Sequence, residues 1–198
     1  MGVLPRLLRS GLRDGQYRRG AVHAAKALSA LALAAGLLAA GGTHAQPAAL
    51  ASAKLTGSAR LSVFGFQVYD ARLWTAEGFS RDSYASHAFA LELAYLRDFD
   101  GDDIARRSLK EMQRVEAFSA AQGSRWLAEM TRLFPDVKKG DRITGLYRPG
   151  AGASFFYNGQ PVGEVRDPDF ARVFMGIWLS PRTSEPAMRE QLLAGATQ

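Results

Sequence analysis

The hydrophobic period changes along this chain, and the order of those changes narrows the folds open to it. Residues 87–96 carry Phe89, Leu91, Leu93 and Tyr95 at every second position. A strand buried mainly on one side reads this way. At Asp100 the period turns helical: Ile104, Ser108, Leu109, Met112 and Val115 follow at helical spacing. The acids of Asp100-Gly-Asp-Asp103 suit a helix start, where free N–H groups favour anions. A second helix is predicted over about Ser119 to Leu133, with Trp126, Leu127, Met130, Leu133 and Phe134 on one face and Pro135 as its stop. Residues 141–148 and 153–157 are again β-like, and Asn158-Gly159 is a type I′ hairpin signal that pairs residues 155–157 with 160–165. Asp167-Pro168-Asp169 opens a third helix carrying Phe170, Val173, Phe174, Ile177 and Trp178. A short last helix is expected from Ser184 to about Leu193, stopped by Gly195. Upstream, Lys54 to Trp74 is rich in β formers, with Phe64, Phe66 and Val68 alternating on one face. That stretch reads as one long strand or a strand pair, with Gly65 marking a bulge or a close approach. Strands come first, then two helices, then strands, then helices. Regular β–α alternation is missing, so the expected class is α+β, with helices on one face of a mostly antiparallel sheet.

The N-terminus reads as a separate segment. Arg6, Arg9, Arg13, Arg18, Arg19 and Lys26 stand against one acid, Asp14, and an uncharged run of Ala, Leu, Gly and Ser covers 27–40. That run falls short of the roughly 20 residues a bilayer-spanning helix needs. Thr43-His44-Ala45 approximates a small-residue cleavage site. Together these features predict a secretory signal peptide over residues 1–45. A flexible leader is expected at 46–53 and a single domain at 54–198, in the periplasm and with no membrane span after cleavage. The Arg18-Arg19 pair also permits twin-arginine export. The net charge of +6 then loses its meaning. Six basic residues and one acid leave with the segment, so the remaining chain carries +1.

Several chemistries are excluded on residue types. The chain has no cysteine, and His87 is the one histidine beyond residue 45. Thiolate metal sites and cysteine nucleophiles are therefore out. Asp100-Gly-Asp-Asp103 lacks the spacing of a calcium loop, so neither metal nor cofactor is expected. There is no Gly-x-Ser-x-Gly elbow for serine hydrolysis. Gly150-Ala-Gly152-Ala-Ser154 lies between two strands, where a phosphate loop would need a strand and a helix. A charge of +1 with interspersed signs gives no footprint for nucleic acid. What remains is Arg60 and Arg72 amid Phe64, Phe66, Tyr69 and Trp74. A guanidinium beside an apolar cleft is what an amphipathic anion requires. Core aromatics beside surface arginines would give the same pattern.

These residues also resemble a known family. Gly57-Ser-Ala-Arg60 and Phe66-Gln-Val-Tyr-Asp-Ala-Arg-Leu73 are similar to the opening motif of chalcone isomerase-like domains, closest to an exported bacterial branch. Ala90-Leu-Glu-Leu-Ala-Tyr-Leu-Arg-Asp98 resembles the family's next core strand. Phe134-Pro-Asp-Val-Lys-Lys-Gly-Asp141, Tyr147-Arg-Pro-Gly150, Tyr157-Asn-Gly159 and Ile177-Trp-Leu179 resemble its second half. The resemblance covers about residues 54–193. It implies an open-faced sandwich, a curved antiparallel sheet against a layer of helices, with a cleft between them. Family enzymes close a chalcone to a flavanone there; other members bind fatty acids, with an arginine holding the carboxylate. Where the enzymes keep tyrosine and asparagine, this chain has Ile104 and Glu111, and Phe64 stands for the strand hydroxyl. Isoleucine and glutamate cannot replace a phenol and an amide in a polar role. The resemblance thus implies a non-catalytic binder of a small amphipathic anion, with Arg60, Phe64, Tyr69, Tyr95 and Ile104 at the ligand. An isomerase or lyase using Arg60 and Glu111, and an interaction module of the cell envelope, are the alternatives.

Overall fold

A computed structural model describes residues 52–197. The expected signal peptide and all but the last two residues of the expected leader lie outside the described residues. Six strands form one open antiparallel sheet in chain order: β1 (Lys54–Val63), β2 (Phe66–Thr75), β3 (Phe89–Tyr95), β4 (Arg142–Arg148), β5 (Gly152–Tyr157) and β6 (Gln160–Val165). The helices are α1 (Gly101–Val115), α2 (Ala120–Leu133), α3 (Pro168–Leu179) and α4 (Pro186–Leu192). The α+β class and the order of elements follow the changes of hydrophobic period.

Local chemistry sets the helix starts. Ser119 and Gln122 form a capping box at α2, which satisfies two N–H groups that a free helix end leaves unpaired. Asp167 accepts from the N–H groups of Asp169 and Phe170 at the start of α3, with Pro168 in the first turn. The final helix begins at Pro186, after Glu185, two residues later than the sequence pattern suggests.

The sheet's inner face buries Ala71, Leu73, Leu91, Leu93, Ile143 and Phe155. Against it α3 lies on β4 and β5, and α4 lies on β1. Phe170 and Phe174 stack at 5.5 Å, and Phe155 meets Phe174 edge-on at 5.4 Å. Each such ring pair adds about 0.5–1.5 kcal/mol beyond the area it buries. Gly57 is where α4 presses on β1. A Cβ there would sit 2.3 Å from the carbonyl oxygens of Gln191 and Leu192, so the glycine of the opening motif is a packing requirement.

The 54–74 stretch is a strand pair, and Gly65 is not at a bulge. Phe64 and Gly65 form the two-residue turn between β1 and β2, with φ of +50° and +81°. The bulge lies further on. Leu61 pairs with Tyr69 but Ser62 with Gln67, leaving Val68 as the extra residue. A bulge breaks the strict alternation of faces. It brings Phe66 and Val68 to the same side as Tyr69, which alternation alone would forbid.

Candidate functional site

A cleft of about 590 Å³ opens between the β1–β2 hairpin, β3, α1 and α3. Leu93, Phe134, Ile143, Phe174, Ile177 and Met188 line it with hydrocarbon. Helix α1 faces it with Ile104, Arg107, Ser108 and Glu111, which the spacing of three, four and seven residues stacks on one side of a helix. The bulge brings in Phe66, Val68 and Tyr69 from the opposite wall.

Two tyrosines add hydroxyls to the wall opposite Ser108 and Glu111. The Trp178 Nε1–H donates to Tyr69 Oη at 3.0 Å. This bond occupies the Tyr69 oxygen, and among the described residues no acceptor takes the Tyr69 proton. Tyr95 is 4% exposed, and its hydroxyl makes no hydrogen bond among the described residues. The two rings meet edge-on at 6.0 Å. Burial pushes Tyr69 up to about 12 and raises Tyr95 as well, with the nearby Tyr69 hydroxyl adding to the rise. Both hydroxyls are therefore neutral donors at physiological pH. An acceptor on a bound molecule can take either proton, and a hydrogen bond to a charged group is worth about 1.5–3 kcal/mol.

Charges sit at the rim. Glu111 is nearly buried, and its oxygens face Arg107 Nη2 at 2.8 Å and Arg114 Nε at 3.6 Å. The Arg97 guanidinium lies 5.0 Å over the Phe66 ring and has no carboxylate partner among the described residues. Phe64 and Phe66 are exposed at the mouth.

Of the expected residues, Phe64, Tyr69, Tyr95, Ile104 and Glu111 line the cleft. Arg60 does not, and the expectation that it anchors a ligand needs correction. Arg60 pairs with Asp70 across the hairpin, and this register puts both on the opposite face from Tyr69 and Ala71. Its guanidinium binds both Asp70 oxygens, at 2.6 and 2.9 Å, and holds that carboxyl below its ordinary value. Arg72 lies on the same outer face, 3.1 Å from Glu92. The alternative catalytic pair of Arg60 and Glu111 is therefore not brought together. Sequence reasoning missed Arg97 and Arg107. Arg107 was within reach, standing three residues after Ile104 and four before Glu111. Arg97 continues the every-second-residue series of Leu91, Leu93 and Tyr95 just past the end of β3, where a charged residue interrupts the apolar pattern. Among the described residues, no group of His, Asp and Glu is arranged to hold a metal.

A model of chalcone isomerase-like proteins matches residues 43–194. The chain belongs to the chalcone isomerase-like family. It is 27% identical over 137 residues to an uncharacterized protein of Haemophilus influenzae, covering 69% of this chain and 66% of that one. The match thus spans just under two thirds of the relative's length. The crystal structure of an Arabidopsis thaliana fatty-acid binding protein superposes with a TM-score of 0.58 at 15% identity, over 72% of this chain and 87% of that one. At that identity the likeness is one of fold. Within this family scaffold, Ile104 and Glu111 are two turns of one helix facing the cleft.

Proposed function

We propose that this chalcone isomerase-like protein binds a fatty-acid-like or other amphipathic anion in the cleft and does not transform it. The observation that carries the reading is the pair of unspent tyrosine protons on the wall of an apolar cavity. Tyr69 and Tyr95 donate to the ligand's acid oxygens. Arg107, whose side chain is 66% exposed and tied only to Glu111, turns its charge toward the same group. The hydrocarbon lies against Leu93, Ile143 and Phe174. A volume near 590 Å³ falls within the roughly 300–1,000 Å³ of ligand pockets.

Three features favour binding over turnover. Ile104 has no proton to give. Glu111 already faces two guanidinium groups. Tyr69, at about 12, is a donor and a poor base near neutral pH. The fatty-acid binding fold neighbour is consistent with this reading. Export to the periplasm is part of the proposal and rests on the composition of residues 1–45 alone.

Native mass spectrometry of the protein purified from cells tests the reading. The expected spectrum carries an acidic lipid adduct, or acquires one when a long-chain fatty acid is added. An apo mass that stays unchanged on addition contradicts it.

A further inference from the structure

The mouth of the cleft carries a surface that ligand binding does not require. Phe64 is 96% exposed and Phe66 61% exposed. Val63 joins them at the tip of the β1–β2 hairpin. Phe64 holds φ at +50°, a left-handed conformation that a bulky side chain adopts only under strain. Neither packing nor turn chemistry accounts for an aromatic ring there. Arg97 places a cation over Phe66 at 5.0 Å, free of any carboxylate among the described residues.

We infer that this tip is a docking element for an anionic phospholipid surface. Exposed aromatic and aliphatic side chains beside an arginine suit the boundary between headgroups and acyl chains, where rings enter and guanidinium stays with phosphate. Area argues for lipid over protein. Two rings at roughly 150–250 Å² each fall well short of the roughly 800 Å² per partner that a stable protein interface buries. A bilayer sets no such threshold for a small inserted tip. Phe64, Phe66 and Arg97 also line the cleft, so insertion would set the cavity's mouth against the membrane from which an amphipathic acid comes.

The absence of cysteine gives a direct test on the full-length chain. Ser62→Cys beside the tip and Gln160→Cys beside the opposite hairpin each take one polarity-sensitive fluorophore. Vesicles of phosphatidylcholine with about a third phosphatidylglycerol are added, without fatty acid. The label at 62 is expected to shift to the blue and the label at 160 to stay unchanged. Phe64→Ser with Phe66→Ser should lower partitioning of the Ser62→Cys protein at least tenfold. Arg97→Gln should lower it two- to threefold on anionic vesicles and not on phosphatidylcholine alone. Equal responses from both labels, or none, would overturn the inference. So would a label at 62 that is shielded before lipid is added and freed by Phe64→Ser, which would mean that protein covers the tip. Because no fatty acid is present, the outcome is separable from whether the cleft binds one.

Discussion

Two hairpins of this sheet turn through the same backbone geometry and end in opposite chemistry. Phe64-Gly65 and Asn158-Gly159 both take two positive φ angles, +50° and +81° in one, +49° and +83° in the other. Asn158 suits its place. Its amide donates to Asp141 at 2.9 Å, and its oxygen accepts from the Arg142 N–H at 2.8 Å. Asp141 also takes the Tyr157 hydroxyl at 2.7 Å. Both polar groups of the Asn158 side chain are used within the fold. The Phe64 tip spends backbone strain on a ring that touches almost nothing. One hairpin end is built for stability, and the other is held at a cost that stability does not explain.

The largest effect on stability is expected at the Asn158 tip. Asn158→Ala removes two hydrogen bonds and puts a Cβ with no compensating bond into the left-handed region, so it should destabilise by about 2 kcal/mol. Urea denaturation measures this. At the other tip the sign reverses: Phe64→Asn should stabilise by about 0.5–1 kcal/mol, since asparagine tolerates that conformation. A loss of stability there would mean that the ring is structural after all, and the contrast between the tips would fail.

Acid should narrow the difference. Hydrogen bonds from Asn158, the Lys138 N–H and Tyr157 hold Asp141 below its ordinary carboxylate value. A carboxyl depressed in the folded state contributes stability above its unfolded value and loses it as pH falls through the folded one. The penalty of Asn158→Ala on the melting temperature should therefore be smaller near pH 3 than at pH 7. An unchanged penalty would remove Asp141 from the account. The smallest effect is expected at Arg60, on the outer face of the first hairpin. Arg60→Ala should leave fatty-acid affinity as it was and stability nearly so, because exposed ion pairs contribute little. A marked loss of affinity would restore Arg60 as the anchor.

The same pair of hairpins shows what could be read from sequence. Asn-Gly announces its turn, because both residues favour positive φ. Phe-Gly does not, so the strand pair stayed undecided against one long strand. The bulge at Val68 left no local mark either, since Phe64, Phe66 and Val68 alternate as an unbroken strand would. Pairing register decides that Tyr69 shares their side and that Arg60 does not, and register depends on the partner strand. Tyr95 and Ile104 were legible because each lies on the apolar side of a strong period. The helix layer was legible for the same reason, through caps such as Ser119 and Asp167.

In the proposed mode of binding, the Tyr69 and Tyr95 hydroxyls on the cleft wall receive the acid group of an amphipathic ligand. Titration of a long-chain fatty acid into the wild type and into Tyr69→Phe with Tyr95→Phe tests it most directly. Each lost hydrogen bond to a charged group is worth about 1.5–3 kcal/mol, so affinity should fall at least a hundredfold in the double variant while the fold persists. Equal affinity in both proteins, or no binding to either, would contradict it.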